Sequence, residues 1–159
     1  MRHITIDPKI ISRAKELSEE MGVLNGIVSS HRKNMVGFIG ELLFLQLFGG
    51  AHVGGYDYDI ILDGRKIDVK SSECSNAPKP HHVAKVFCGF SQQQCDYYAF
   101  FRLKKDWLQA WYVGALSKRE FLSKATINKK GSILPGTNIV AKADQYQVKI
   151  SDLKIGKHC

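Results

Sequence analysis

The sequence predicts a mixed α/β fold in which helices pack against a central sheet. Three observations carry that reading. Apolar residues recur at helical spacing through the first third of the chain, short β-like runs divided by turn residues fill most of the rest, and a capped helical segment returns near residue 117. At 159 residues the chain is expected to form one domain, 1–159, with 1–33 as an N-terminal helical segment and 34–159 as the core with its C-terminal strands.

Asp7-Pro8 reads as an N-cap followed by proline at the first helical position, and Ile10, Ile11, Ala14, Leu17 and Met21 continue one apolar face until Gly22. NMVGFIGELLFLQLF, Asn34 to Phe48, predicts a second helix that is apolar on most sides and therefore buried, and Gly49-Gly50 ends it. Gly37 and Gly40 inside it suggest close packing, and Glu41 is its one acid. From Ala51 the pattern changes to strands: AHV, YDYDIIL and KIDVKSS, then a proline-containing loop. VAKVFCGF reads as a strand or a buried connector. DYYAFFRL and WLQAWYVGAL read as strands joined by the turn Lys104-Lys105-Asp106. SKREFLSKA from Ser117 predicts a short capped helix, NKKGSILPGTN a basic loop, and QYQVKI a last strand.

A formal charge of +8 points to a polyanionic partner, with nucleic acid the natural candidate and a solvated basic surface the alternative reading. No apolar segment reaches the length of a membrane span, and no basic amphipathic helix carries a bulky aromatic face, so a membrane partner is not expected. The N-terminus lacks the long apolar stretch of a secretory signal, which predicts a cytoplasmic protein. Its cysteines, Cys74, Cys88, Cys95 and Cys159, form no CxxC pair and are expected as free thiols. Cys74, His81, His82, Cys88 and Cys95 fall within one stretch, but zinc ligands usually come in tight pairs and only the two histidines are close.

The most informative stretch is YDYDIILDGRKIDVKSS, residues 56 to 72. Asp63-Gly64 favours a two-residue type I′ turn, because both residues reach positive φ and the turn matches the twist of paired strands. In that register Leu62 opposes Arg65, Ile61 opposes Lys66, Ile60 opposes Ile67, Asp59 opposes Asp68, and Asp57 opposes Lys70. Side chains alternate, so Ile60, Leu62, Ile67 and Val69 share a core face while Asp59, Asp68 and Lys70 share the other. Like charges directly opposite one another destabilise a sheet unless something positive lies between or beside them. A lysine offsets part of that cost. A divalent cation offsets more, because Mg²⁺ takes one or two carboxylates and completes its shell with water and phosphate oxygens. The competing reading is a solvated hairpin whose acids are offset by Lys66 and Lys70, or a longer turn that changes the register.

These residues resemble the PD-(D/E)xK nuclease superfamily, which has the restriction-endonuclease-like fold. The pattern is an acid on a helix before the sheet, an aspartate near the start of one strand, and (Asp/Glu)-x-Lys on the next. GFIGE supplies Glu41, YDYDI supplies Asp59, and Asp68-Val69-Lys70 supplies the last element. No proline precedes Asp59, and Asp57 is an alternative first aspartate with poorer register.

The resemblance implies a Mg²⁺-dependent endodeoxyribonuclease of restriction, homing, phage or junction-resolving type, with Mn²⁺ able to substitute. It assigns metal binding to Asp59, Asp68, the Val69 carbonyl and Glu41, and assigns Lys70 to the attacking water or the transition-state charge. Gln92, Gln93 and Gln94 are open candidates for the glutamine that often assists the lysine in related nucleases. Ser71, Ser72, Lys129 and Lys130 are candidate contacts to the DNA backbone. One site cuts one strand, so cleavage of both strands predicts a homodimer or higher homo-oligomer. The alternative is a non-catalytic nucleic-acid-binding or assembly protein. Four site residues argue against it, since a pure phosphate binder gains nothing from acids beside its ligand.

Overall fold

The computed structural model describes residues 1–25, 31–133 and 140–156. Within them the fold is mixed α/β, with three α-helices and a six-stranded mixed sheet. The strands are β1 (Arg2–Thr5), β2 (Ala51–His52), β3 (Ile60–Leu62), β4 (Arg65–Cys74), β5 (Val83–Phe87), β6 (Tyr97–Lys104), β7 (Gln109–Ser117), β8 (Thr126–Asn128) and β9 (Gln145–Lys149). The helices are α1 (Pro8–Asn25), α2 (His31–Phe48) and α3 (Lys118–Lys124). The main sheet runs β1-β7-β6-β4-β3-β2, and a second, three-stranded sheet runs β5-β9-β8.

That second sheet corrects the expectation of one sheet only. VAKVFCGF is a strand as far as Phe87, but it pairs antiparallel with β9 rather than joining the main sheet. β1 and β8 are further strands beyond those the sequence predicts. β1 has a single buried side chain, Ile4, so it shows little of the two-residue alternation that marks a strand in sequence. The basic loop after β8 lies partly outside the described residues, as does Cys159.

The main sheet is buried on both faces. Ile60, Ile67, Val69, Ala99, Phe101 and Leu103 face a core closed by α1 and α2. Tyr98, Phe100, Val113 and Leu116 face the opposite core, closed by α3 and the small sheet. Strand β7 switches alternation at a bulge, where Phe100 pairs with Gly114 and Phe101 with Tyr112. Gly114 has φ +126°, and a Cβ there would lie 2.7 Å from Leu153 Cβ.

α1 begins and α2 ends where local chemistry predicts, whereas α1 runs past Gly22 to Asn25 and α2 starts at His31, ahead of the expected Asn34. The Lys9 N–H donates to Asp7 Oδ1 at 2.8 Å, capping α1. Gly49 and Gly50 adopt φ +79° and +104°, which turns the chain back into β2. Gly40 is a point of close approach: a Cβ there would lie 1.7 Å from Ser71 Oγ and 2.9 Å from Ser71 Cβ. Gly37 has no comparable neighbour; a Cβ at that position would meet only Glu41 Oε1, at 3.9 Å.

Gly40→Ala gains about 1 kcal/mol of helix propensity. The clash with Ser71 outweighs it, and the expected result is a net loss of about 1–3 kcal/mol in urea unfolding.

Candidate active site

The hairpin forms in the register that its turn dictates. Asp63 and Gly64 adopt φ +49° and +75°, and Ile60, Ile61 and Leu62 pair with Ile67, Lys66 and Arg65. Beyond Ile60 the two strands separate. The Asp59 N–H still donates to the Ile67 carbonyl at 3.0 Å, while the Asp59 carbonyl accepts the N–H groups of Val53 and Gly54 at 2.7 and 3.2 Å. The ladder pairings of Asp59 with Asp68 and of Asp57 with Lys70 are therefore not realised. Asp57 lies in the diverging segment, where its Oδ1 accepts the Gln94 N–H at 3.0 Å.

This divergence creates the site. Asp59 Oδ2 crosses the gap and accepts the Val69 N–H at 2.7 Å, a donor that a longer β3 would have used in its ladder. The Asp59 and Asp68 carboxyls come within hydrogen-bonding reach of each other. Asp68 is buried, and Lys70 Nζ lies 2.7 Å from its Oδ2. This ion pair offsets part of the cost of burying the Asp68 carboxylate. Lys70 Nζ also donates to Gln93 Oε1 at 3.3 Å and sits 4.7 Å from the centre of the Phe90 ring.

Glu41 reaches the same place from α2. It is buried, its charge acts on both aspartates, and its Oε2 lies 2.7 Å from His52 Nε2. The close approach of α2 to β4 at Gly40 puts the following residue, Glu41, at this height on the sheet. Burial, then the charges of Glu41 and Asp68, push the Asp59 carboxyl up to about 8, against the opposing pull of the Val69 N–H and Lys70. Asp59 as a whole residue is half-buried, and its carboxyl is the part that burial affects most. Burial also raises Asp68, although Lys70 resists it. His52 is raised by its hydrogen bond to Glu41.

Two residues at the site are not singled out by the sequence. His52 belongs to β2, where it pairs with Ile60, one residue from Asp59. Its signal is the Gly-Gly turn, which folds β2 back beside β3. Gln93 is one of three adjacent candidates, and it is the one at the site. It is buried, its Nε2 donates to the Tyr56 carbonyl, and its own carbonyl accepts from Lys118 Nζ. Gln92 and Gln94 do not contact Lys70; the Gln94 side chain donates to the Gln92 carbonyl at 3.0 Å.

The remaining candidates are spread wider. Ser71 Oγ is buried against Gly40, and Ser72 Oγ accepts from Arg102. Lys129 and Lys130 lie beyond β8; Lys129 Nζ pairs with Asp144 at 2.8 Å, and the Lys130 N–H donates to the same carboxylate. The His81 and His82 rings meet edge-on at 4.8 Å, Cys74 Sγ donates to the Leu103 carbonyl, and Cys95 is buried under the main sheet.

Among the described residues, no set of three or more His, Cys, Asp or Glu side chains is gathered tightly enough to hold a metal ion by itself. Mg²⁺ does not demand such a set, because water and phosphate oxygens complete its shell. Two neighbouring carboxyls, Asp68 buried and Asp59 already pushed towards its neutral form, are an arrangement that a hard cation would relieve. The residues present fit Mg²⁺ on that ground. No helix among the described residues is long and apolar enough to cross a membrane. No family model matches the chain, and no curated protein matches it.

Proposed function

We propose that the chain is a Mg²⁺-dependent endodeoxyribonuclease built on a restriction-endonuclease-like core. The observation that carries the reading is the meeting of Asp59, Asp68 and Lys70 where the hairpin opens, with Glu41 arriving from the preceding helix. The order of parts supports the resemblance to PD-(D/E)xK nucleases: an acid on α2, an aspartate immediately before β3, and Asp-x-Lys on β4.

Asp59 and Asp68, with the Val69 carbonyl and Glu41, are the groups that would hold the ion. Once bound, Mg²⁺ supplies charge stabilisation at a phosphate oxygen and a more acidic water. The rest of the work falls to the chain. The two N–H donors on the Asp59 carbonyl and the Val69 N–H on its carboxylate keep that side chain in position before substrate arrives. Lys70, held between Asp68 and Gln93, orients the attacking water and offsets charge developing on the phosphate. Gln93 is a positioning residue, since its other polar groups are tied to Tyr56 and Lys118. His52 holds Glu41 in the same sense.

The net charge of +8 suits a DNA partner and a salt-sensitive interaction. Breaking both strands requires two such sites, so a homodimer or higher homo-oligomer belongs to the proposal.

The test is incubation with supercoiled plasmid and with branched DNA in Mg²⁺, Mn²⁺ or EDTA. Nicking is expected in either metal and absent in EDTA. Chelator-insensitive cleavage overturns the mechanism, and tight DNA binding without cleavage in any condition favours a non-catalytic binding protein.

A further inference from the structure

Resting on that reading, we infer that the cavity beside Lys70 receives an unpaired nucleotide of the substrate strand, so that the preferred substrate carries single-stranded DNA next to the bond cut. The cavity lies where β4 loses its partner. Strand β3 pairs with β4 only as far as Ile67, and among the described residues no strand pairs with Lys70–Cys74 on that side. The open edge is flanked by α2, by β6 and by β5 with the 3-10 turn Cys88–Gln92 that follows it, around a cavity of about 770 Å³. That volume is in the range of pockets that hold small ligands.

The lining has the chemistry of a nucleotide. Lys85 and Arg102 both line it, and among the described residues neither has a carboxylate within ion-pair distance. Arg102 spends its hydrogen bonds on neutral acceptors, the Ser72 hydroxyl and the Val83 carbonyl. The one acid in the lining, Glu73, is already neutralised by Arg32 and bonded by the Trp107 indole at 3.0 Å. Both cations are half-buried, and a partly desolvated cation without a counter-ion favours an anion, here a phosphate.

Two aromatic rings stand at the same place. Phe87 and Phe90 are large apolar side chains left 39% and 37% exposed, and both line the cavity. Each has a lysine over its ring, Lys85 at 5.8 Å from the Phe87 centre and Lys70 at 4.7 Å from that of Phe90, and the two rings meet edge-on at 6.3 Å. An exposed ring flanked by cations is the arrangement on which single-stranded bases stack while their phosphates find positive charge. Bases paired within a duplex are stacked on their neighbours and do not present a free face to such a ring. The ring beside the proposed catalytic lysine therefore selects a strand whose base is already unpaired, as at a flap, a branch or a free end.

The test separates base recognition from charge and from catalysis. Binding of the full chain in EDTA is followed by fluorescence anisotropy with three probes of equal length: oligothymidylate, an abasic oligomer and a blunt duplex. The wild type is expected to prefer oligothymidylate over both. Phe90→Ala lowers affinity for oligothymidylate about tenfold or more and leaves the abasic oligomer unchanged. Phe90→Trp retains the preference, which guards against a folding defect. Lys85→Gln weakens oligothymidylate and the abasic oligomer alike.

Equal binding of thymidylate and abasic strands by the wild type, or a Phe90→Ala variant that keeps the preference, overturns the inference. Cleavage is read separately in Mg²⁺. Cutting without base preference removes the subsite and leaves the nuclease, whereas ring-dependent preference without cutting leaves the subsite and removes the nuclease.

Discussion

Lys70→Ala is expected to lower single-turnover nicking of supercoiled plasmid by about a hundred- to thousandfold at saturating Mg²⁺, the size of effect seen when one transition-state donor is removed. The ammonium group is held by Asp68 at 2.7 Å and Gln93 at 3.3 Å, above the Phe90 ring. Lys70→Arg does not restore the rate, because a planar guanidinium cannot occupy the position of a compact ammonium wedged among those three groups. Gln93→Ala is expected to give a smaller loss in rate with the metal requirement unchanged, as befits a group acting through Lys70. Loss of Lys70 leaves Asp68 facing burial without its cation, and Asp68 answers by holding its proton more tightly. The variant should therefore remain folded, which circular dichroism verifies before rates are compared. A rate within tenfold of wild type removes Lys70 from the mechanism.

Asp59→Asn is expected to stabilise the metal-free protein at alkaline pH while abolishing its response to Mg²⁺. An unfolded aspartate loses its proton near pH 4, whereas in the fold the Asp59 carboxyl is pushed up to about 8. Between those values the native state holds a proton that the unfolded state has released, so stability declines as pH rises through that window. Asparagine cannot ionise, and its Oδ1 still accepts the Val69 N–H. In EDTA the variant should match wild type near pH 4 and exceed it at pH 8 by about 1–3 kcal/mol. Each tenfold change in proton affinity is worth about 1.4 kcal/mol, and sharing of the proton with Asp68 reduces the total. Added Mg²⁺ should raise the wild-type Tm at pH 8 by mass action and leave the variant unmoved. A variant less stable than wild type at pH 8 in EDTA contradicts the crowding of acids on which the site depends.

The sequence by itself determined the parts that short-range chemistry controls. The Asp-Gly turn has only one comfortable two-residue geometry, and the two-residue period then decides which side chains oppose one another, so the Ile60–Ile67 register was legible. The same holds for the Asp7 cap, the Gly49-Gly50 stop and the Ser117 cap, whose hydroxyl accepts the Glu120 N–H. Close packing at Gly40 was also legible, although its partner, Ser71, was not.

Tertiary structure alone decided how far the hairpin runs and what surrounds its open end. Nothing local stops the pairing at Ile60; β2 and the 53–54 backbone take the Asp59 carbonyl, and the Gln93–Gln94 segment takes Tyr56 and Asp57. Which of three consecutive glutamines would reach Lys70 depended on the parallel crossover from β4 to β6, where equal composition at neighbouring positions carries no period to read. His52 met Glu41 and Phe90 met Lys70 for the same reason. Local dihedral preferences choose turns and faces, but partners distant in the chain are chosen by the packing of whole elements, which leaves no mark in a short window of residues.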